Sequence, residues 1–69
     1  MKDFGAKLKE LRIEKGLTCQ AVASAIGLTK NAITNYESGI REPSLSTLKS
    51  ICDFFDVSAD YLIGRSDGY

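Results

Sequence analysis

Lys30, Asn31, Thr34 and Asn35 crowd into the stretch KNAITNYES, and their side chains are of the kinds that read the edge of a nucleobase. An asparagine amide can exchange two hydrogen bonds with adenine N6 and N7. A lysine ammonium can reach guanine O6 or N7, or a phosphate, and a threonine methyl can touch the methyl of thymine. On a helix turning about 100° per residue, Lys30, Thr34, Ser38, Asn31 and Asn35 fill one arc of roughly 140°, while Ala32, Tyr36 and Ile33 hold the arc from about 200° to 300°. Glu37 falls at the border between the two. A solvated helix face has the same composition, because asparagine is a poor helix former that surfaces nonetheless tolerate. The arc by itself leaves both readings open.

Other chemistries find little support in the chain. It has no histidine, which removes the commonest general base and the commonest metal ligand. There is no phosphate-cradling glycine loop, and 69 residues are too few to wall off a pocket. We therefore expect no enzyme activity, no cofactor and no metal. Cys19 and Cys52 are the only cysteines, too sparse for a disulfide scaffold or a zinc site, so reduced thiols are expected. No apolar run approaches the roughly 18 to 20 residues of a membrane span, and the start MKDFGAKLKE lacks a signal-peptide core. The expected location is the cytoplasm, with no membrane partner.

The formal net charge is zero, which looks unfavourable for a polyanion partner, since phosphate neutralisation dominates that affinity. The distribution is uneven, however. Residues 1–41 carry seven basic against four acidic side chains, a net of +3, and residues 42–69 carry two basic against five acidic, a net of −3. A mildly basic front is joined to an acidic back.

With 43% hydrophobic and 26% charged residues, the composition is that of a globular domain. Turn signals cut it into short amphipathic pieces. Asp3 is a plausible N-cap for a first helix carrying Phe4, Leu8 and Leu11 on one stripe and ending at Gly16. Thr18 can cap a second helix with Val22, Ala23 and Ile26, closed by Gly27. Thr29 caps a third, ended by Gly39, and Ser44 a fourth, whose stripe is Leu45, Leu48, Ile51, Cys52 and Phe55. Ser58 opens a brief fifth piece in which Tyr61 and Leu62 or Ile63 are available to pack. Ile13 and Phe54 fall off these stripes. No segment alternates with the period of a strand. The expected fold is all-α, five short helices around one core, forming a single domain over residues 1–65 with 66–69 as a tail or the start of a linker.

The second helix, the Gly27-Leu28-Thr29 turn and the two-faced third helix together make a helix-turn-helix. In the segments LKELRIEKGLT (8–18), VASAIGLTKNAITNYESG (22–39) and REPSLSTLKSICDFFDVSADYLIG (41–64), the chain resembles the lambda-repressor-like, Xre-type helix-turn-helix DNA-binding family. The resemblance covers residues 4–63. It implies a transcriptional regulator, a repressor by preference, whose recognition helix 30–38 presents Lys30, Asn31, Thr34 and Asn35 to the bases of double-stranded DNA. Thr29, Ser38 and Arg41, with main-chain amides near the helix ends, would hold phosphates. Arg12 and Glu37 match a pair common in the family, and both also lie at the edges of their apolar stripes, as a partly buried structural pair would.

Two positions depart from the family's pattern. The first residue of helix two is usually a glutamine that clasps a phosphate. Here Cys19 stands there and Gln20 follows, turned by about 100°. Gln20 is thus a phosphate candidate by another route or a solvated side chain. A thiol at a helix start can become an oxidisable group beside the DNA, against the plainer reading of a small residue filling the turn. Glu42, in the loop after helix three, would repel phosphate. Because one recognition helix reads few base pairs, a homodimer on inverted half-sites about 34 Å apart is expected. Tyr61, Leu62 and Ile63 in the acidic back half are the candidate contacts between its two copies. The competing reading is a protein-interaction module or an antitoxin built on the same helices.

Overall fold

Hydroxyl side chains set four of the helix starts. The computed structural model describes residues 3–64, folded as α1 (Phe4–Glu14), α2 (Cys19–Ile26), α3 (Lys30–Ser38), α4 (Leu45–Phe55) and α5 (Ala59–Leu62), with no strand among the described residues. Thr18 Oγ1 accepts from the Ala21 amide at 3.0 Å and Thr29 Oγ1 from the Ala32 amide at 3.2 Å. Ser44 Oγ accepts from the Thr47 amide at 3.2 Å and Ser58 Oγ from the Tyr61 amide at 3.1 Å. Each bond satisfies a donor that the first turn leaves without a partner.

The expected cap on α1 is not formed. Asp3 occupies the place, but its φ of 64° puts it in the left-handed region and its side chain accepts nothing from the helix; capping needs extended backbone. The α2–α3 turn depends on Gly27, whose φ of 75° a residue with a Cβ seldom adopts. At the end of α4 the same left-handed place is taken by Asp56, with φ 56°.

Each helix sends a fully buried apolar side chain inward: Leu8 and Leu11 from α1, Val22 from α2, Ile33 from α3, Ile51 from α4 and Leu62 from α5. α3 packs chiefly on α1 and α2, and α4 on α2 and α5. Phe4 meets Tyr36 edge to face with ring centroids 6.1 Å apart, and Lys7 Nζ lies 4.3 Å from the Tyr61 ring centre, tying α1 to α3 and to α5. Cys52 is buried, and burial, with the nearby Asp53 charge, raises its thiol pKa above the ordinary value.

Two expectations about apolar residues change. Leu45, assigned to the α4 stripe, is 83% exposed, because the core ends one turn later at Leu48. Ile40 joins it on the surface at 74%, so Ile13 and Phe54 are not alone in lying off the core. Tyr61 and Leu62 are buried within their own chain, which leaves only Ile63 of the three proposed dimer contacts partly open. The GRSDGY ending, apart from Gly64, lies outside the described residues, as do Met1 and Lys2.

Candidate nucleic-acid interface

The polar arc of α3 faces solvent. Lys30, Asn31, Thr34 and Ser38 are exposed, and Asn35, at the edge of the arc, is half-buried. Behind them Ile33 and Tyr36 are buried and Ala32 packs against the core. The tight turn holds this helix at a fixed angle to α2, with the Leu28 amide donating back to the Ala23 carbonyl at 2.8 Å.

Thr34 Oγ1 donates to the Lys30 carbonyl at 3.1 Å, and Ser38 Oγ donates to the Asn35 carbonyl at 3.1 Å. These bonds fix which atoms are offered outward. Thr34 presents its methyl group and oxygen lone pairs rather than a donor. Ser38 would have to give up a helix bond before donating to a phosphate. Among the described residues, the side chains of Lys30, Asn31 and Asn35 have no hydrogen-bond partner, so their full capacity is available to a ligand.

The phosphate candidates are placed unequally. Thr29 uses an oxygen lone pair on the cap, which leaves its O–H as a donor at the start of α3. Arg41 is exposed just beyond the helix. Gln20 is exposed but turns its amide along α2, donating from Nε2 to Ser24 Oγ at 2.9 Å. Glu42 is also exposed.

Arg12 and Glu37 are joined. Arg12 Nε and Nη2 donate to Glu37 Oε2 and Oε1 at 2.7 and 3.0 Å, a bidentate pair with side chains only 14% and 8% exposed. The third arm of the fork, Nη1, donates to the Leu17 carbonyl at 2.9 Å. One guanidinium therefore gathers α1, the lead into α2 and the last turn of α3. The hydrogen bond that Arg12 donates to Glu37 raises the arginine's pKa, against the opposing effect of burial. Cys19 is half-buried with its thiol aimed at Glu37 Oε1, 4.0 Å away.

Sequence reasoning missed a fourth element of this assembly, Gly5. A Cβ built there would lie 2.5 Å from the Tyr36 carbonyl oxygen and 2.6 Å from that of Glu37. The signal was present: a glycine in the first turn of a helix costs stability unless something needs the space.

Comparison with known proteins agrees with this geometry. Residues 8–62 match the model of the helix-turn-helix family. Among similar proteins, the uncharacterized HTH-type transcriptional regulator YqaE of Bacillus subtilis is 47% identical over 60 residues, covering 87% of this chain and 52% of that protein. The cryptic phage CTXphi transcriptional repressor RstR of Vibrio cholerae is 34% identical over 64 residues, covering 93% of this chain and 58% of that protein. The chain spans about half the length of the relatives it matches first. In fold, the P22 c2 repressor, solved with a synthetic operator, superposes with a TM-score of 0.88 at 21% identity, over 96% of this chain and all of that one. The relatives are named as transcription regulators and not as enzymes. No helix among the described residues is long and apolar enough to cross a membrane.

Proposed function

Because this chain belongs to the helix-turn-helix family, we propose that it is a sequence-specific binder of double-stranded DNA and a transcriptional regulator, a repressor that works in the cytoplasm. Lys30, Asn31, Thr34 and Asn35 read base edges in the major groove, and Thr29 and Arg41 hold phosphates, with smaller contributions from Gln20 and Ser38. The observation that carries the reading is the division of α3: side-chain amides and an ammonium without partners on one arc, buried Ile33 and Tyr36 on the other, and Glu37 clamped between them. A ligand that uses such an arc must offer closely spaced donors and acceptors, which a base-pair edge does.

Two copies act on inverted half-sites, since one short helix reads too few base pairs for a unique address. Affinity rests on few basic groups, so it is modest for one copy and sensitive to salt. Selection of bound sequences from random duplex DNA tests the reading. The expected result is an inverted repeat with half-site centres about 34 Å, one helical turn, apart. Absence of any enriched sequence, with binding to a protein partner that salt does not weaken, would replace it by the interaction-module reading.

A further inference from the structure

We infer that Gly5 is a positioning residue for base reading: by lacking a side chain it lets the first turn of α1 touch the backbone of the last turn of α3, and so sets where the recognition helix sits. The inference rests on the proposed DNA-reading function and adds to it a residue of another helix, behind the base-reading arc. Its basis is the pair of carbonyl oxygens, of Tyr36 and Glu37, that a Cβ at Gly5 would meet at 2.5 and 2.6 Å, with the Glu37 carbonyl carbon at 3.0 Å. These are main-chain atoms of a capped helix and cannot swing aside as a side-chain tip could.

α1 therefore holds α3 at two points. Its first turn touches the Tyr36–Glu37 backbone through Gly5, and its last turn grips the Glu37 carboxylate through Arg12. Phe4 adds a ring edge against Tyr36 beside the first point. The second point is a hydrogen-bonded fork that fixes direction. The first is a hard contact that fixes depth.

The displacement a side chain would force can be compared with what base reading tolerates. Relieving contacts of 2.5 and 2.6 Å to the 3.4 Å at which ordinary van der Waals contact begins requires α1 and α3 to part by roughly 0.8 to 0.9 Å, whereas a binding constellation must be held within about 0.5 Å to keep its geometry. Bidentate amide contacts lose their alignment over such a shift. Phosphate attraction does not, because Coulomb energy changes little when a charge moves by a fraction of an ångström. A side chain at Gly5 should therefore weaken specific binding while leaving nonspecific binding in place.

The test compares Gly5→Ala with the wild-type chain on the selected duplex and on a scrambled duplex, at a temperature where circular dichroism shows both proteins fully folded. The expected result is a specific affinity lowered about tenfold, the equivalent of one bidentate base contact, with affinity for the scrambled duplex within about twofold. Phe4→Leu withdraws the ring edge from Tyr36 without introducing a clash. It should fold, and it should lower the specific-to-nonspecific ratio in the same direction, so the test survives if Gly5→Ala does not fold. Unchanged ratios in the folded variants would overturn the positioning role while leaving DNA reading intact. A wild-type chain that selects no sequence would instead overturn the proposed function itself.

Discussion

Replacing Arg12 by alanine should be among the most damaging single changes to this fold. The substitution deletes both bonds to Glu37, at 2.7 and 3.0 Å, and the 2.9 Å bond to the Leu17 carbonyl. It leaves a carboxylate whose side chain is 8% exposed with only the Cys19 thiol, 4.0 Å away, as a hydrogen-bond partner. Breaking a buried pair from one side costs about 3 to 5 kcal/mol, because the remaining charge is uncompensated. A chain of 69 residues has a total stability of only about 3 to 10 kcal/mol at the usual value per residue. The variant should melt at least about 12 °C below wild type, or be largely unfolded at 37 °C. Circular dichroism melts and urea titrations read this directly. The raised Arg12 pKa adds a sign: a base whose folded value lies above its unfolded one contributes fully below the unfolded value and is lost only as pH rises through the folded one. The deficit of the variant should thus be constant from pH 7 to 10. Replacing both partners by apolar residues, as Arg12→Met with Glu37→Leu, should recover much of the loss. An Arg12→Ala protein within about 0.5 kcal/mol of wild type, the range of ordinary surface changes, would refute the claim that this pair holds the recognition helix.

Asn31→Ala and Asn35→Ala should each cost about 1 to 3 kcal/mol on the selected site and relax preference at single base positions; equal losses on specific and scrambled duplexes in titrations would remove them from base reading. Arg41→Ala should weaken all sequences alike and reduce the slope of log affinity against log salt by about one; an unaltered slope would show that it touches no phosphate. Leu45→Ser should leave the melting temperature unchanged, since the leucine is 83% exposed, and a clear drop in the melt would return it to the core.

The helices were legible in the sequence wherever a local signal decided them. Thr18, Thr29, Ser44 and Ser58 act as caps because their extended backbone directs the hydroxyl to an amide three residues on. Asp3 has the right chemistry for a cap, and its backbone conformation removes the use of it. The stripe on α4 was correct from Leu48 to Phe55 and failed at Leu45, because periodicity marks a face of a helix and not where the core along that face stops. The same gap applies after Ser58, where apolar residues can serve a core or an interface, and burial puts Tyr61 and Leu62 in the core. At the interface, the exposed arc of α3 was readable from spacing. The Ser24 partner that turns Gln20 away and the Leu17 carbonyl that takes the third arm of Arg12 were not, since both depend on how side chains are oriented in space. Gly5 was missed because the atoms that require it lie in α3, more than thirty residues away along the chain.

The two faces of α3 share a backbone but almost no interactions. Lys30, Asn31 and Thr34 contribute nothing to the core, and among the described residues their only side-chain hydrogen bond is the one from Thr34 back to its own helix. On the proposed function, mutation at these three positions should leave folding nearly untouched while changing the sequence that is bound. The sequence bound could then change in single steps, each leaving a stable protein, whereas a change at Gly5, Arg12 or Glu37 would act on the scaffold. A changeable address and a held frame would then meet on one nine-residue helix.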